Sequence, residues 1–200
     1  MRQEIDILLE ANTARLEARY HDAFRLYLNL GQAIELDPDL MLVLAILLWQ
    51  ISSDDPDLIR HQQALDWIDK AIQRAPHRVD FYLTRGDILL YGADAPQYAA
   101  AIQDYRRAIT RDPTHAQAAM SCASLVGLPE PVITYPEAIA ILEHAITIHQ
   151  ERGDLFRRLG TLYHGVGDRA AAQQAYRRAL LCGTPLPLRD LSEITAHCTE

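Results

Sequence analysis

Glu143, His144 and His149 lie close together in this 200-residue chain, and their spacing decides what they can do. Two histidines five positions apart on a helix project from different faces, so they do not make the one-face pair that a zinc site uses. Asp54, Asp55 and Asp57 crowd three carboxylates into one short turn. Calcium needs oxygen donors spread along a longer loop, so a solvated turn is the reading there. Cys122, Cys182 and Cys198 lie far apart with no Cys-x-x-Cys pair, which gives neither a disulfide framework nor a structural zinc site. Gly165-Val-Gly167-Asp168 has the glycines of a phosphate loop, but no strand pattern precedes it. Gly-x-Ser-x-Gly, Walker and His-Glu-x-x-His motifs are absent. The chain is therefore expected to be no enzyme, with no metal and no cofactor.

The bulk composition narrows the class further. Apolar residues make up 49% and charged residues 23%, the balance of a folded chain. A formal charge of −8 argues against a nucleic-acid partner, because phosphates need a basic face. Of 19 basic residues only Lys70 is a lysine. The longest apolar run, Leu40 to Leu48 extended by Trp49 and Ile51, is shorter than the roughly 20 residues that cross a bilayer. Met1 to Glu10 has no apolar signal region. No membrane insertion and a cytoplasmic location are expected.

The elements that must position any functional side chain emerge from a repeat. The segments starting at Ala101, Ala138 and Ala172 each carry a large residue four positions on (Tyr105, Leu142, Tyr176) and an alanine three after that (Ala108, Ala145, Ala179). Ala64, Ile68 and Ala71 make a fourth copy, and Leu26, Leu30 and Ala33 a weaker fifth. The closing alanines stand at 33, 71, 108, 145 and 179, so the intervals are 38, 37, 37 and 34. Spacing of i, i+4, i+7 is one face of a helix, and alanine there lets a second helix approach closely. Asp37-Pro38, Ala75-Pro76 and Asp112-Pro113 stop the helices. Gly167-Asp168 marks a turn between paired helices. The unit is helix–turn–helix, and no single unit buries its apolar face alone.

These residues resemble the tetratricopeptide repeat, whose unit is about 34 residues long. Leu159, Gly160, Tyr163, Gly167, Asp168, Ala172, Tyr176 and Ala179 all sit at family positions, as do Tyr82, Gly86, Ala101, Tyr105, Ala108 and Pro113 in an earlier unit. The resemblance implies an all-α, right-handed superhelical solenoid forming a single domain over 1–200. Its repeats would run 7–40, 41–78, 79–115, 116–152 and 153–186, followed by a capping helix at 188–198. Longer inner turns around 54–57, 92–96 and 127–131 also occur in the related Sel1-like repeats, but the Asp-Pro endings favour the tetratricopeptide form. The fourth unit departs from the pattern by closing at Ile148-His149-Gln150 without proline.

The resemblance further implies a non-catalytic adaptor whose first helices line a concave groove for a peptide or helix of a partner protein. Carried over by position, the groove residues are Leu42 and Trp49, then Asp80, Leu83 and Asp87, then Met120, then Arg157 and His164. Ala45, Leu90, Gln117, Ser124, Asp154 and Thr161 accompany them. An apolar anchor near Trp49 with a basic side chain near Asp80 and Asp87 would suit this wall. Leu42 and Trp49 read equally well as core. The lysine and asparagine clamp of chaperone-binding members cannot be assembled here, though Arg85 and Arg157 remain as arginines able to meet an acid group. The arginine pairs Arg106-Arg107 and Arg177-Arg178 read as a solvated convex face. The alternative is a self-associating protein, a homo-oligomer using the apolar 40–51 helix or the C-terminal cap.

Overall fold

A computed structural model describes residues 2–54, 58–92, 95–128, 131–187 and 190–191. Among these the chain forms eleven helices and no strand. It divides into two compact units, Met1–Asp104 and Tyr105–Glu200. Unit 1 holds α1 (Arg2–Leu16), α2 (Tyr20–Leu28), α3 (Gln32–Leu36), α4 (Pro38–Asp54), α5 (Leu58–Arg74) and α6 (Val79–Tyr91). α7 (Tyr98–Arg111) crosses the division, and unit 2 continues with α8 (Ala116–Ser124), α9 (Tyr135–Ile148), α10 (Gly153–Gly165) and α11 (Arg169–Leu181). Successive helices pair: α1 with α2, α4 with α5, α8 with α9 and α10 with α11. No described helix is long and apolar enough to cross a membrane.

The repeat alanines do what their size allows. Ala64, Ala71, Ala101, Ala108, Ala138, Ala145, Ala172 and Ala179 are all fully buried. Between them Ile68, Tyr105, Leu142 and Tyr176 fill the helix–helix gaps, the close packing that makes such cores sensitive to single methylenes. Helix starts follow the local chemistry. Thr134 Oγ1 accepts the Glu137 amide at 3.3 Å, Asp168 Oδ1 that of Ala171 at 3.0 Å, and His115 Nδ1 that of Ala118 at 3.2 Å.

Two places differ from the sequence pattern. Leu26, Leu30 and Ala33 do not share one helix, because the chain breaks after Leu28 and passes Gly31 at φ +55° before α3 begins. Glycine adopts that left-handed conformation without a Cβ penalty. The unit lacking proline closes instead through His149, whose Nε2 sits 3.0 Å from the Thr114 carbonyl and so ties the end of α9 to the turn before α8. The expected capping helix at 188–198 falls almost wholly outside the described residues, as do parts of the three longer turns.

Unit 1 also encloses a polar group that nothing pairs. His61 on α5 is 5% exposed, and neither ring nitrogen has a hydrogen-bond partner. Its ring lies against Gly92, where a Cβ would come within 2.6 Å of Nδ1. Burial holds His61 below its ordinary value of 6.5, with the Gly92 backbone pulling weakly the other way. The folded state therefore binds a proton less readily than the unfolded chain. Stability from His61 is present above the unfolded value and is lost as pH falls through the lower folded one. Denaturant unfolding between about pH 7.5 and about pH 5 is expected to show stability falling with acid, and His61→Phe to flatten that fall. An unchanged slope in the variant would assign the acid sensitivity to other groups.

Candidate functional site

The positions expected to line a groove fall into two sets, each inside one unit. In unit 1, Leu42 and Trp49 on α4 are half-buried and pack against the core made by Met41, Leu44, Leu47, Leu48 and their neighbours. α4 is thus apolar around most of its circumference because it is enclosed, and the 40–51 helix is spent as core. Leu83 on α6 is 8% exposed. Asp80, at the start of α6, accepts two hydrogen bonds from Arg78 at 3.0 and 2.7 Å. The same guanidinium reaches Asp39 at 2.9 Å, so a partner's basic group would compete with one already in place. Asp87 remains half-exposed.

Arg85 is likewise committed. It donates to both oxygens of Asp104, at 2.7 and 2.6 Å, and to Asp69 as well. Asp104 is only 2% exposed, and its bidentate pairing raises the guanidinium above its ordinary value despite burial. This cross-tie joins α5, α6 and α7 and leaves Arg85 unsuited to capturing an acid from outside.

Unit 2 presents a different surface. α8 carries Gln117, Met120 and Ser124 on one side, at i, i+3 and i+7, while Ala116, Ala119, Cys122 and Ala123 are buried on the other. α10 carries Asp154, Arg157, Thr161 and His164 at i, i+3, i+7 and i+10, the spacing of one helix face. Its opposite side, Leu155, Leu159 and Leu162 with Gly160, is buried. The two helices touch, and the neighbouring Arg158 donates a hydrogen bond to the Ala123 carbonyl at the end of α8. Met120 and Arg157 are half-buried and His164 is exposed. Asp154 pairs with Arg152, which holds its carboxyl below the usual range. Burial, reinforced by Arg157, lowers Arg158. The Nε of Arg157 is enclosed and has no hydrogen-bond partner.

Beside the other flank of α10 lies a cavity of about 680 Å³, lined by Phe156, Leu159 and Tyr163 and by one side of α11. Tyr163 donates its hydroxyl to Glu143, and that hydrogen bond, with burial, pushes the phenol up to about 12. Of the arginine pairs read as solvated, Arg177 and Arg178 are exposed, but Arg106 is half-buried. It donates to Glu137 at 3.0 and 3.1 Å and to the Val132 carbonyl at 3.1 Å. No described group of three or more His, Cys, Asp or Glu side chains is arranged to hold a metal ion. The Cys122 thiol is buried and pushed up to about 12, which leaves it unreactive.

No protein-family model and no curated protein matches the chain in sequence. Solved structures do match it. A thermophilic TPR protein of Thermus thermophilus aligns with a TM-score of 0.60 at 18% identity, over 96% of this chain and 97% of that one. The fold is tetratricopeptide-like. MamA from Desulfovibrio magneticus RS-1, residues 41 to the end, matches the tetratricopeptide-like chain with a TM-score of 0.68 at 15% identity, over 92% and 96% of the two chains. A further MamA structure covers 100% of this chain and 98% of its own, with a TM-score of 0.66 at 18% identity. At such identities the tetratricopeptide-like likeness speaks for the fold alone.

The structure thus gathers Met120, Arg157 and His164 on neighbouring helices of unit 2 and draws Leu42, Trp49 and Leu83 into packing. The Arg85–Asp104 tie, the unpaired His61 and the α10–α11 cavity escaped the sequence reading.

Proposed function

We propose that this chain is a non-catalytic protein-interaction module that takes a peptide or helix of a partner protein on the α8–α10 face. The fold supports the class, since helical-hairpin repeats present side chains of their first helices to ligands. The observation that carries the site is the contact of α8 with α10, whose outer faces carry Met120 and the half-buried Arg157. The enclosed Nε is closed to a ligand, so a carboxylate or backbone carbonyl of the bound segment would pair with the outer nitrogens of that guanidinium. Met120 supplies an adaptable apolar contact, and Gln117, Ser124, Thr161 and His164 supply polar ones. In unit 1 the groove position Asp80 is already tied to Arg78. Recognition therefore centres on unit 2, and Leu42, Trp49 and Leu83 serve the packing of unit 1. The reading places the protein in the cytoplasm, where its free Cys122 and Cys182 stay reduced.

Affinity capture from the native extract, quantified by mass spectrometry, tests this with wild type against Met120→Glu/Arg157→Glu. Retained helicity of the variant is checked by circular dichroism. The expected result is a set of proteins held by wild type and depleted at least about tenfold by the variant, the loss that about 1.4 kcal/mol of binding energy produces. Equal capture by both would remove the α8–α10 face from consideration.

A further inference from the structure

α1 is apolar on two sides. Ile7, Leu8, Ala11 and Ala14 face the core of unit 1. On the outer side Ile5, Leu9 and Leu16 are 54%, 63% and 81% exposed. Their spacing of i, i+4 and i+11 places them in one stripe along the helix. Asp6 and Glu10 repeat the same spacing one position on, so carboxylates border the stripe, while Glu17 beyond the helix is already paired with Arg19 at 2.8 Å. A solvated helix has no need of the apolar row, and three leucine-sized side chains in line form a face that requires cover.

The α10–α11 cavity has the converse chemistry. Its floor is Phe156, Leu159 and Tyr163, and Arg177 and Arg178 line it from α11. Leu181, 78% exposed, closes one end. Arg178 lies over the Phe156 ring at 5.7 Å, and the one acidic lining residue, Glu143, is engaged by Tyr163. The lining runs from Ala170 to Leu181, and the stripe from Ile5 to Leu16. Each spans eleven helical rises, about 16 Å. This flank of α10 points away from the Asp154–Arg157–Thr161–His164 face, so the two surfaces can be occupied independently.

We infer that the outer face of α1 docks into the α10–α11 groove of a second copy of this chain. Leu9 and its neighbours cover the aromatic floor, and Asp6 and Glu10 meet Arg177 and Arg178. The contact uses two different surfaces, so it is heterologous and each copy offers one of each, which builds rings or open chains rather than an isologous dimer. Charge across the rim steers association and makes it sensitive to salt.

Analytical ultracentrifugation of the full chain over a concentration and salt series tests it, using Leu9→Glu and Leu181→Glu/Arg177→Glu, each first shown by circular dichroism to keep its helicity. Wild type is expected to form species larger than a dimer as concentration rises, weakening with salt. Each variant alone is expected to stay monomeric, with its dissociation constant raised at least about tenfold. Mixed in equal amounts, the two variants are expected to recover a single 1:1 complex, since the mixture retains one intact groove and one intact stripe. Wild type that stays monomeric throughout overturns the inference. So does a groove variant that still self-associates through its stripe, or a mixture that fails to pair.

Discussion

Replacing Asp104 by alanine is expected to lower the unfolding free energy by about 3–5 kcal/mol, the cost of stripping a buried charge of its partner. Asp104 is 2% exposed and Arg85 is enclosed among α5, α6 and α7, so water cannot replace the lost carboxylate. Asp69 alone remains, and it stands nearly half exposed at the edge of the pair. The cost therefore comes less from the lost attraction than from the stranded guanidinium. Arg85→Met combined with Asp104→Leu is accordingly expected to be far less harmful than Asp104→Ala alone, because it removes both charges and fills the space. Urea unfolding of the two variants measures this. Equal destabilisation would show that shape, not charge, is the constraint.

The second large effect is expected where α10 packs against α11. Tyr176 is 1% exposed, and its ring lies against Gly160, where a Cβ would sit 2.7 Å from Cδ1. Tyr176→Ala removes an aromatic ring from the α10–α11 contact and is expected to cost about 3–5 kcal/mol. Gly160→Ala opposes two effects. Helix propensity favours alanine by about 1 kcal/mol, and overpacking against a ring with nowhere to swing costs about 1–3 kcal/mol. The clash is expected to win in the wild-type background. With Tyr176→Leu in place the clash is relieved, and Gly160→Ala is expected to become neutral or stabilising, which a double-mutant cycle detects. Additivity of the two changes would mean that Tyr176 is not what requires glycine at 160.

These two sites also mark how far the sequence speaks. Tyr176 was visible from the spacing of small and large residues on a helix face, and Gly160 from the resemblance to the tetratricopeptide repeat. Asp104 sits inside the same period, yet nothing local foretells its buried pairing, since the partner lies nineteen positions away on another helix. The break at Gly31 was hidden for a related reason: an i, i+4, i+7 pattern across Leu26, Leu30 and Ala33 counts residues, and a positive φ interrupts the count. At the candidate site, position within the repeat correctly put Met120, Arg157 and His164 on the first helices of their pairs. It could not separate side chains left on the surface from those drawn inward. Leu42 was drawn in by the core it packs against, Leu83 is buried, and Asp80 is held by Arg78 two positions before it.

The central claim, that a partner protein is recognised on the α8–α10 face, is tested most directly by site-specific photocrosslinking in the native cell. A photoreactive phenylalanine analogue is placed at Met120 in one chain and at the exposed Arg107 of α7 in another. The account predicts a discrete crosslinked protein from position 120 that is absent from position 107 and disappears when Arg157→Glu is added. Crosslinks from position 107 alone, or a product at 120 indifferent to Arg157, would contradict it.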